Sequence, residues 1–259
     1  MSLPTFVIAG AQKSGTSTLH RMLRDHPQIF MSRPKEIHFF DRHWDRGLDW
    51  YEAHFSGRRR RHVHAGESTP TYMYRATSRQ RMVETLPDAR LVVILRDPVA
   101  RAYSHYWHSR RLGTDSSPTF EGALELEGAR PAAGDDLERS RFGYVDRGHY
   151  IDQVVALEEA LGRERLHVIL LDELIAHRTS TLEGLFSFLE VAVEPAARIQ
   201  ERRANRYREV IPGREKPKPA AYPPIEGSTR DRLAEHYQPY NDRLTSWLGR
   251  SLGQWSQPG

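Results

Sequence analysis

The chain has 259 residues, 38% of them hydrophobic and 28% charged, a net charge of +4 and no cysteine. That length supports one sizeable core or two small ones; the lack of cysteine excludes disulfides, thiolate metal sites and a cysteine nucleophile, and no stretch approaches the roughly 18–20 apolar residues that span a bilayer. The basic balance, with an isoelectric point of about 9.4, favours an anionic partner such as a nucleotide, a nucleic acid or an acidic glycan without choosing among them.

In chain order, the first signal is "FVIAGAQKSGTSTLHRML". A short apolar run from Thr5 to Ala9 reads as a buried strand, and Leu19, Met22 and Leu23 give the next segment a helical period. The turn between them resembles a phosphate-binding loop with a displaced lysine. A Walker A loop places lysine directly after its last glycine, but here Thr16 holds that position and the lysine is Lys13. In a strand–loop–helix of this kind, backbone N–H groups and the helix N-terminus face a bound phosphate. Gly10 and Gly15 permit close approach, Ser14, Thr16, Ser17 and Thr18 offer hydroxyls, and Lys13 can reach over the ligand's terminal group. The strand at Thr5 leaves no room for a signal peptide ahead of it, so the expected location is cytoplasmic.

The second signal is "SRPKEIHFFDRHWDRGLDWY". Glu36 and His38 alternate with Ile37 and Phe39, so on an extended segment they share one face and suit a general base with its neighbour. Trp44, Trp50 and Tyr51, with Tyr72 and Tyr74 further on, are candidate stacking surfaces for a sugar or aromatic ring. The arginine run Arg58 to Arg61 reads as a solvated loop before a weak strand at His62–Ala65. His62 and His64 alternate on that strand, but with no third ligand they make no metal site.

The third signal is "LVVILRDPVARAYSHYWHSRR". A buried strand runs from Arg90 to Leu95, Asp97 suits an N-cap and Pro98 the first helical position. Arg96 is thereby left at the strand's carboxyl edge, where open α/β sheets bind ligands and where a guanidinium can grip a phosphate bidentately. Ser104, about two turns into the helix, adds a hydroxyl. Beyond it, residues Gly113 to Ser140 are acidic and small, and Asn205 to Gly227 are rich in proline. Both are longer than ordinary connections, as functional lids or mobile segments are. Between them Val154, Leu157 and Leu161 mark a helix and Leu166–Leu171 a strand. Ser228 caps a closing helix that is expected to break near Pro239. Alternating strands and helices predict a single α/β domain over residues 1–259, P-loop-like, with a central parallel sheet flanked by helices on both faces.

Taken together, these three motifs resemble the sulfotransferases that use 3′-phosphoadenosine 5′-phosphosulfate (PAPS), most closely the type acting on glucosamine units of heparan sulfate, in the form of a free-standing bacterial enzyme. The resemblance extends through "GLDWY", "GESTPTYMY", "RGHYIDQVVALEEAL" and "LDELI". It implies that Lys13 to Thr18 hold the 5′-phosphosulfate, that Arg96 and Ser104 hold the 3′-phosphate, and that "EIHFFD" supplies Glu36 as catalytic base with His38 and Asp41 beside it. It implies acceptor contacts at Ser68 and Tyr72, although heparan-type members carry lysine where this chain has Ser68; Arg33 and Lys35 are candidates to supply the charge. In the proline-rich loop, which takes the place of the family's basic donor loop, Arg214 and Lys216 are the candidate donor contacts. The expected reaction is metal-free transfer of a sulfuryl group to a hydroxyl, in preference to an amine, of a small-molecule or glycan acceptor. Lys13 stabilises the departing phosphate oxygen, the product is 3′,5′-adenosine bisphosphate (PAP), and no nucleic acid or membrane takes part. Two rivals remain: an ATP- and Mg²⁺-dependent small-molecule kinase, against which the lysine position argues, and a nucleic-acid-binding module, against which the dispersed basic residues argue.

Overall fold

The computed structural model describes residues 3–129, 140–200, 208–209, 218–219, 222–253 and 255. Five strands form one parallel sheet in the order β2-β3-β1-β4-β5: β1 Phe6–Gly10, β2 Ile29–Met31, β3 His64–Ser68, β4 Arg90–Leu95 and β5 Leu166–Leu170. Alternate residues of each strand feed opposite faces. Phe6 and Ile8 of β1 and Val92 and Ile94 of β4 pack with Leu19, Met22, Leu182 and Phe186. These come from α1 (Thr16–Arg24) and α9 (Arg178–Phe188), beside the short α8 (Leu171–Ala176). Val7, Ala9, Leu91, Val93 and Leu95 pack on the other face with Phe39, Tyr51, Met82, Val154, Leu157 and Leu244. There the elements are α2 (Phe39–Arg42), α3 (Gly47–Ala53), α4 (Ala76–Thr85), α7 (Tyr150–Leu161) and α10 (Gly227–Leu248). Strands with both faces covered tend to be apolar along their length, which is why three of the five are legible as apolar runs.

Two remaining helices make a third layer at one edge: α5 (Pro98–Arg111) and α6 (Phe120–Ala129). Phe120, Ala123 and Leu124 of α6 pack against Ala102 and Tyr106 of α5 and Tyr237 of α10. The first part of the acidic stretch is therefore a packed helix, its apolar residues spaced by three and four; residues 130–139 lie outside the described residues. In the proline-rich stretch, Arg208–Glu209 pairs antiparallel with Lys218–Pro219.

The closing helix corrects the expectation at Pro239: α10 runs through it unbroken. Proline forfeits one backbone hydrogen bond, and packing outweighs that loss. Tyr237 is fully buried and donates to the Val145 carbonyl at 2.8 Å, while the Tyr240 ring stacks on His149 with centroids 4.2 Å apart.

The chain leaves β1 toward β2 and β3 but leaves β4 toward β5, so the sheet's topological switch point falls between β1 and β4. Loops departing in opposite directions open a crevice at the carboxyl ends of those strands.

Candidate active site

A cleft of about 680 Å³ occupies that crevice, and Lys13, Gly15, Thr16, Ser17, Thr18, Glu36, His38, Arg96 and Ser104 all line it. The loop after β1 is fastened to β4 by Ala11 N–H donating to Ile94 O at 2.8 Å, and Arg96 Nη1 donates to the Lys13 carbonyl at 3.4 Å. Gly15 adopts φ +96° ahead of α1, a conformation that suits glycine, and a Cβ there would lie 2.8 Å from Leu171 Cδ1. Gly10 is also constrained, since a Cβ would lie 1.8 Å from Met73 Sδ. The loop can therefore curl tightly beneath a ligand. Ser14 is fully buried and does not line the cleft.

Helix α5 begins as its sequence predicts. Asp97 Oδ1 accepts from Ala100 N–H at 2.7 Å, and Pro98 is the first helical residue. Ser104, His108 and Arg111 form one stripe at intervals of four and three residues, His105 and Ser109 an adjacent one, and all five line the cleft. Ser104 Oγ lies 3.4 Å from the Tyr222 hydroxyl.

Glu36 and His38 do line the cleft together, but not on an extended segment. Their φ values are +62° and +57°, left-handed conformations that cost a non-glycine residue roughly 1–2 kcal/mol each. The surrounding structure holds them there. Glu36 N–H donates to Ser68 O at 3.1 Å, His38 N–H reaches Thr69 Oγ1 at 3.5 Å, and Phe40 N–H donates to the Tyr72 hydroxyl at 3.4 Å. His38 Nε2 stands 3.7 Å from Glu36 Oε2 and His38 Nδ1 stands 3.0 Å from Asp41 Oδ2, a carboxylate–imidazole–carboxylate chain. Lys35 Nζ pairs directly with Glu36 Oε1.

Ser68 and Tyr72 are fully buried, and neither they nor Asp41 line the cleft. Their contacts lie behind the Glu36 turn: Ser68 through its carbonyl, Tyr72 through its hydroxyl, Asp41 through His38. Glu67, beside Ser68, is buried and bonded by the hydroxyls of Tyr51 and Thr69. Burial pushes its carboxyl up to about 7 against the pull of those hydrogen bonds. Tyr51 is core as well, stacked on Phe39 at 4.4 Å, whereas Trp44 is 38% exposed beneath the Arg81 guanidinium. Arg214 and Lys216 lie outside the described residues.

The charge in the cleft is lopsided. Lys13, Arg42, Arg96, Arg111, Arg141 and Arg147 line it, against Glu36 as the one carboxylate among the described lining residues. Burial, then the charges of Arg111 and Arg96, lower Lys13 to about 8. Burial, Lys13 and Arg111 lower His108 to about 4. Glu36 is held low: desolvation alone would raise it, but the His38 imidazole 3.7 Å away and the charge of Lys35 bring it to about 2. His38 is raised despite burial by the carboxylates on either side. The result is an ionised carboxylate facing a lysine whose charge is held at a cost, an arrangement suited to a multiply charged anion and a proton acceptor. The sequence reading missed His105, His108, Arg111, Arg141 and Arg147. The spacing from Ser104 to His108 and Arg111 could have revealed two of them; nothing local marks Arg147.

A parallel α/β sheet with a glycine-containing loop after β1 and an arginine after β4, both at the carboxyl edge of the sheet, defines a P-loop-like fold. Residues 3–210 match the family described as "Sulfotransferase domain", and the chain belongs to it. It is 26% identical over 277 residues to the human "Bifunctional heparan sulfate N-deacetylase/N-sulfotransferase 3", covering 98% of this chain and 31% of that protein. It is 37% identical over 130 residues to the "Membrane-associated sulfotransferase kil1" of Dictyostelium discoideum, covering 48% and 27%. The chain thus spans about a third or less of the length of these curated relatives. A crystal structure of a sulfotransferase from Alicyclobacillus acidocaldarius superposes with a TM-score of 0.78 at 27% identity, covering 98% of this chain and 99% of that one.

Proposed function

We propose that the protein transfers a sulfuryl group from PAPS to a hydroxyl, in preference to an amine, of a small-molecule or carbohydrate acceptor. The observation that carries this reading is that Lys13, the Arg96–Ser104 pair and Glu36, supplied by separate elements, all line one cleft. The loop from Lys13 to Thr18 holds the donor's 5′-phosphosulfate, while Arg96 and Ser104 hold its 3′-phosphate. The acceptor oxygen attacks sulfur in line, and the bond from sulfur to the bridging oxygen breaks. PAP leaves with the electron pair of that bond, its growing charge met by Lys13.

Glu36 takes the acceptor proton. A carboxylate at about 2 is a weak base toward a free alcohol, so the proton moves late, once bonding to sulfur has made the hydroxyl strongly acidic. His38, anchored by Asp41, keeps the carboxylate aimed and shares its proton. No step is assigned to a metal. The relatives named for heparan sulfate support a glycan among the candidate acceptors.

Thermal unfolding with PAP, against ATP plus Mg²⁺, tests the donor class. A ligand present at 100 times its Kd and bound only by the folded state adds about 2.7 kcal/mol of stability. PAP is expected to stabilise the protein and ATP–Mg²⁺ to do so far less; the reverse order would point to a kinase. Glu36→Gln should keep PAP affinity and lose about 10²–10⁴-fold in turnover. If that variant retains more than about a tenth of the rate, the base is misassigned.

A further inference from the structure

Two buried arginines near the cleft play no part in this scheme. Arg147, in the turn Asp146–Gly148, is 3% exposed and Arg101 of α5 is fully buried; His105, one helical turn after Arg101, is 2% exposed. Arg147 and His105 line the cleft and Arg101 stands behind them. Each guanidinium has one nitrogen on a backbone carbonyl: Arg147 Nη1 donates to Ser140 O at 2.6 Å, its Cζ lying 4.8 Å from the Tyr74 ring centroid, and Arg101 Nη2 donates to Tyr144 O. Arg101 Nε and Nη1, Arg147 Nη2 and His105 Nδ1 are buried without a partner.

The acids whose charges reach these groups are engaged elsewhere. Asp41 pairs with His38, Asp146 with His149 and the Tyr74 hydroxyl, and Glu127 accepts from the Val145 and Asp146 amides. Among the described residues neither arginine forms an ion pair. Burying one cation costs several kcal/mol unless it is paired and hydrogen-bonded. Here two lie together, each raising the cost of the other, and burial with the Arg101 charge lowers Arg147 to about 9. Unmet donors converging from a loop and a helix on one wall of a cleft describe an oxyanion site.

Arg147 stands on the Glu36 side of the cleft: its guanidinium lies over the ring of Tyr74, two residues after Tyr72, whose hydroxyl supports the Glu36 turn. His105, next to Ser104 and within reach of the Lys13 charge, borders the donor side, so Arg147 is the member that distinguishes this site from the donor phosphates. We infer that Arg147, His105 and Arg101 form a second anion site that receives a single oxyanion, a carboxylate or a sulfate, carried by the acceptor. This rests on reading the Glu36 side of the cleft as the acceptor side. An acceptor so held would present its hydroxyl to Glu36 by a charged tether, and an uncharged analogue would leave the two arginines buried and unmet.

Calorimetric titration of the PAP-saturated protein with inorganic sulfate tests the site, since PAP fills the phosphate positions first. Failure of PAP to bind would refute the donor assignment, whereas failure of sulfate to bind the PAP complex would refute only the second site. Saturable binding at one equivalent is expected. Arg147→Lys, which keeps the charge and loses the fork, should weaken sulfate by about tenfold or more while PAP affinity stays within twofold. A purely structural Arg147 would lower the melting temperature and leave sulfate affinity unchanged, which overturns the proposal, as would sulfate binding in neither protein. 4-Hydroxybenzoate and glucuronate then distinguish the sources: displacement of sulfate by either supports an acceptor-borne group, and competition by neither reduces the site to one for free inorganic anions.

Discussion

Lys13 carries a prediction that can be worked through in numbers. Burial and the charges of Arg111 and Arg96 bring its ammonium to about 8 in the free protein. A bound PAP places anionic groups against that ammonium and screens it from the two arginines, so in the complex the lysine returns toward its ordinary value of about 10.5. The complex therefore holds more protons than the free protein at any pH between these values. By linkage, binding takes up protons there and affinity falls as pH rises. With a free-state value of about 8, uptake is about half a proton at pH 8 and about nine-tenths at pH 9. Kd should weaken by about sevenfold between pH 9 and pH 10. His108, at about 4 in the free protein, would need a rise of more than four units to contribute in that window, so the signal belongs to the lysine. Isothermal titration calorimetry at pH 9 in two buffers of different ionisation enthalpy reads the proton count directly. Lys13→Met should abolish the uptake and flatten the pH dependence while PAP still binds through Arg96 and Ser104. Less than about two-tenths of a proton taken up by the wild type, or the same uptake in Lys13→Met, would refute the reasoning.

Two further outcomes follow from the same geometry. His38→Ala removes the imidazole that is the strongest influence holding Glu36 down against desolvation. The rate is lost as pH falls through the carboxylate's value, so the acid limb of kcat/KM should move to higher pH by about one unit or more; an unmoved limb would mean that His38 does not tune Glu36. Gly66→Ala tests the packing under the site, because a Cβ there would lie 2.2 Å from Cζ of the fully buried Phe6 ring. Overpacking of that kind costs about 1–3 kcal/mol, or roughly 2–12 °C in Tm for a chain of this size. PAP affinity should be unchanged, and a Tm within a degree of wild type would show that the strand can shift freely.

Local chemistry decided how much of this was legible in the sequence. Strands β1, β4 and β5 are legible because both of their faces are buried, and the Asp97–Pro98 cap is legible because it acts within four residues. The sequence pattern starts strand β3 two residues early and ends it three early, since Gly66, Glu67 and Ser68 do not look like the interior of a sheet. Glycine is needed there for the Phe6 ring, and the glutamate survives burial on hydroxyls from Tyr51 and Thr69, contacts across 16 residues and two. Three-residue β2 gives too short a period to read.

Glu36 and His38 show the limit most sharply. Their alternation pairs them on one face of an extended segment, and they do share the cleft, yet by left-handed backbone at both positions. Nothing in "KEIHFFD" announces that conformation, because the bonds that hold it come from Ser68, Thr69 and Tyr72, some thirty residues on. The segment "GESTPTY" thus acts as the mould of the base through Ser68, Thr69 and Tyr72, while Pro70 and Thr71 line the cleft itself. The turn keeps its shape only if residues 67–72 keep theirs, so substitutions such as Thr69→Val should reach catalysis through Glu36 aim, lowering kcat more than they raise KM. Residues that look like a second half of the active site in the sequence act, in the fold, as the support on which the first half is set.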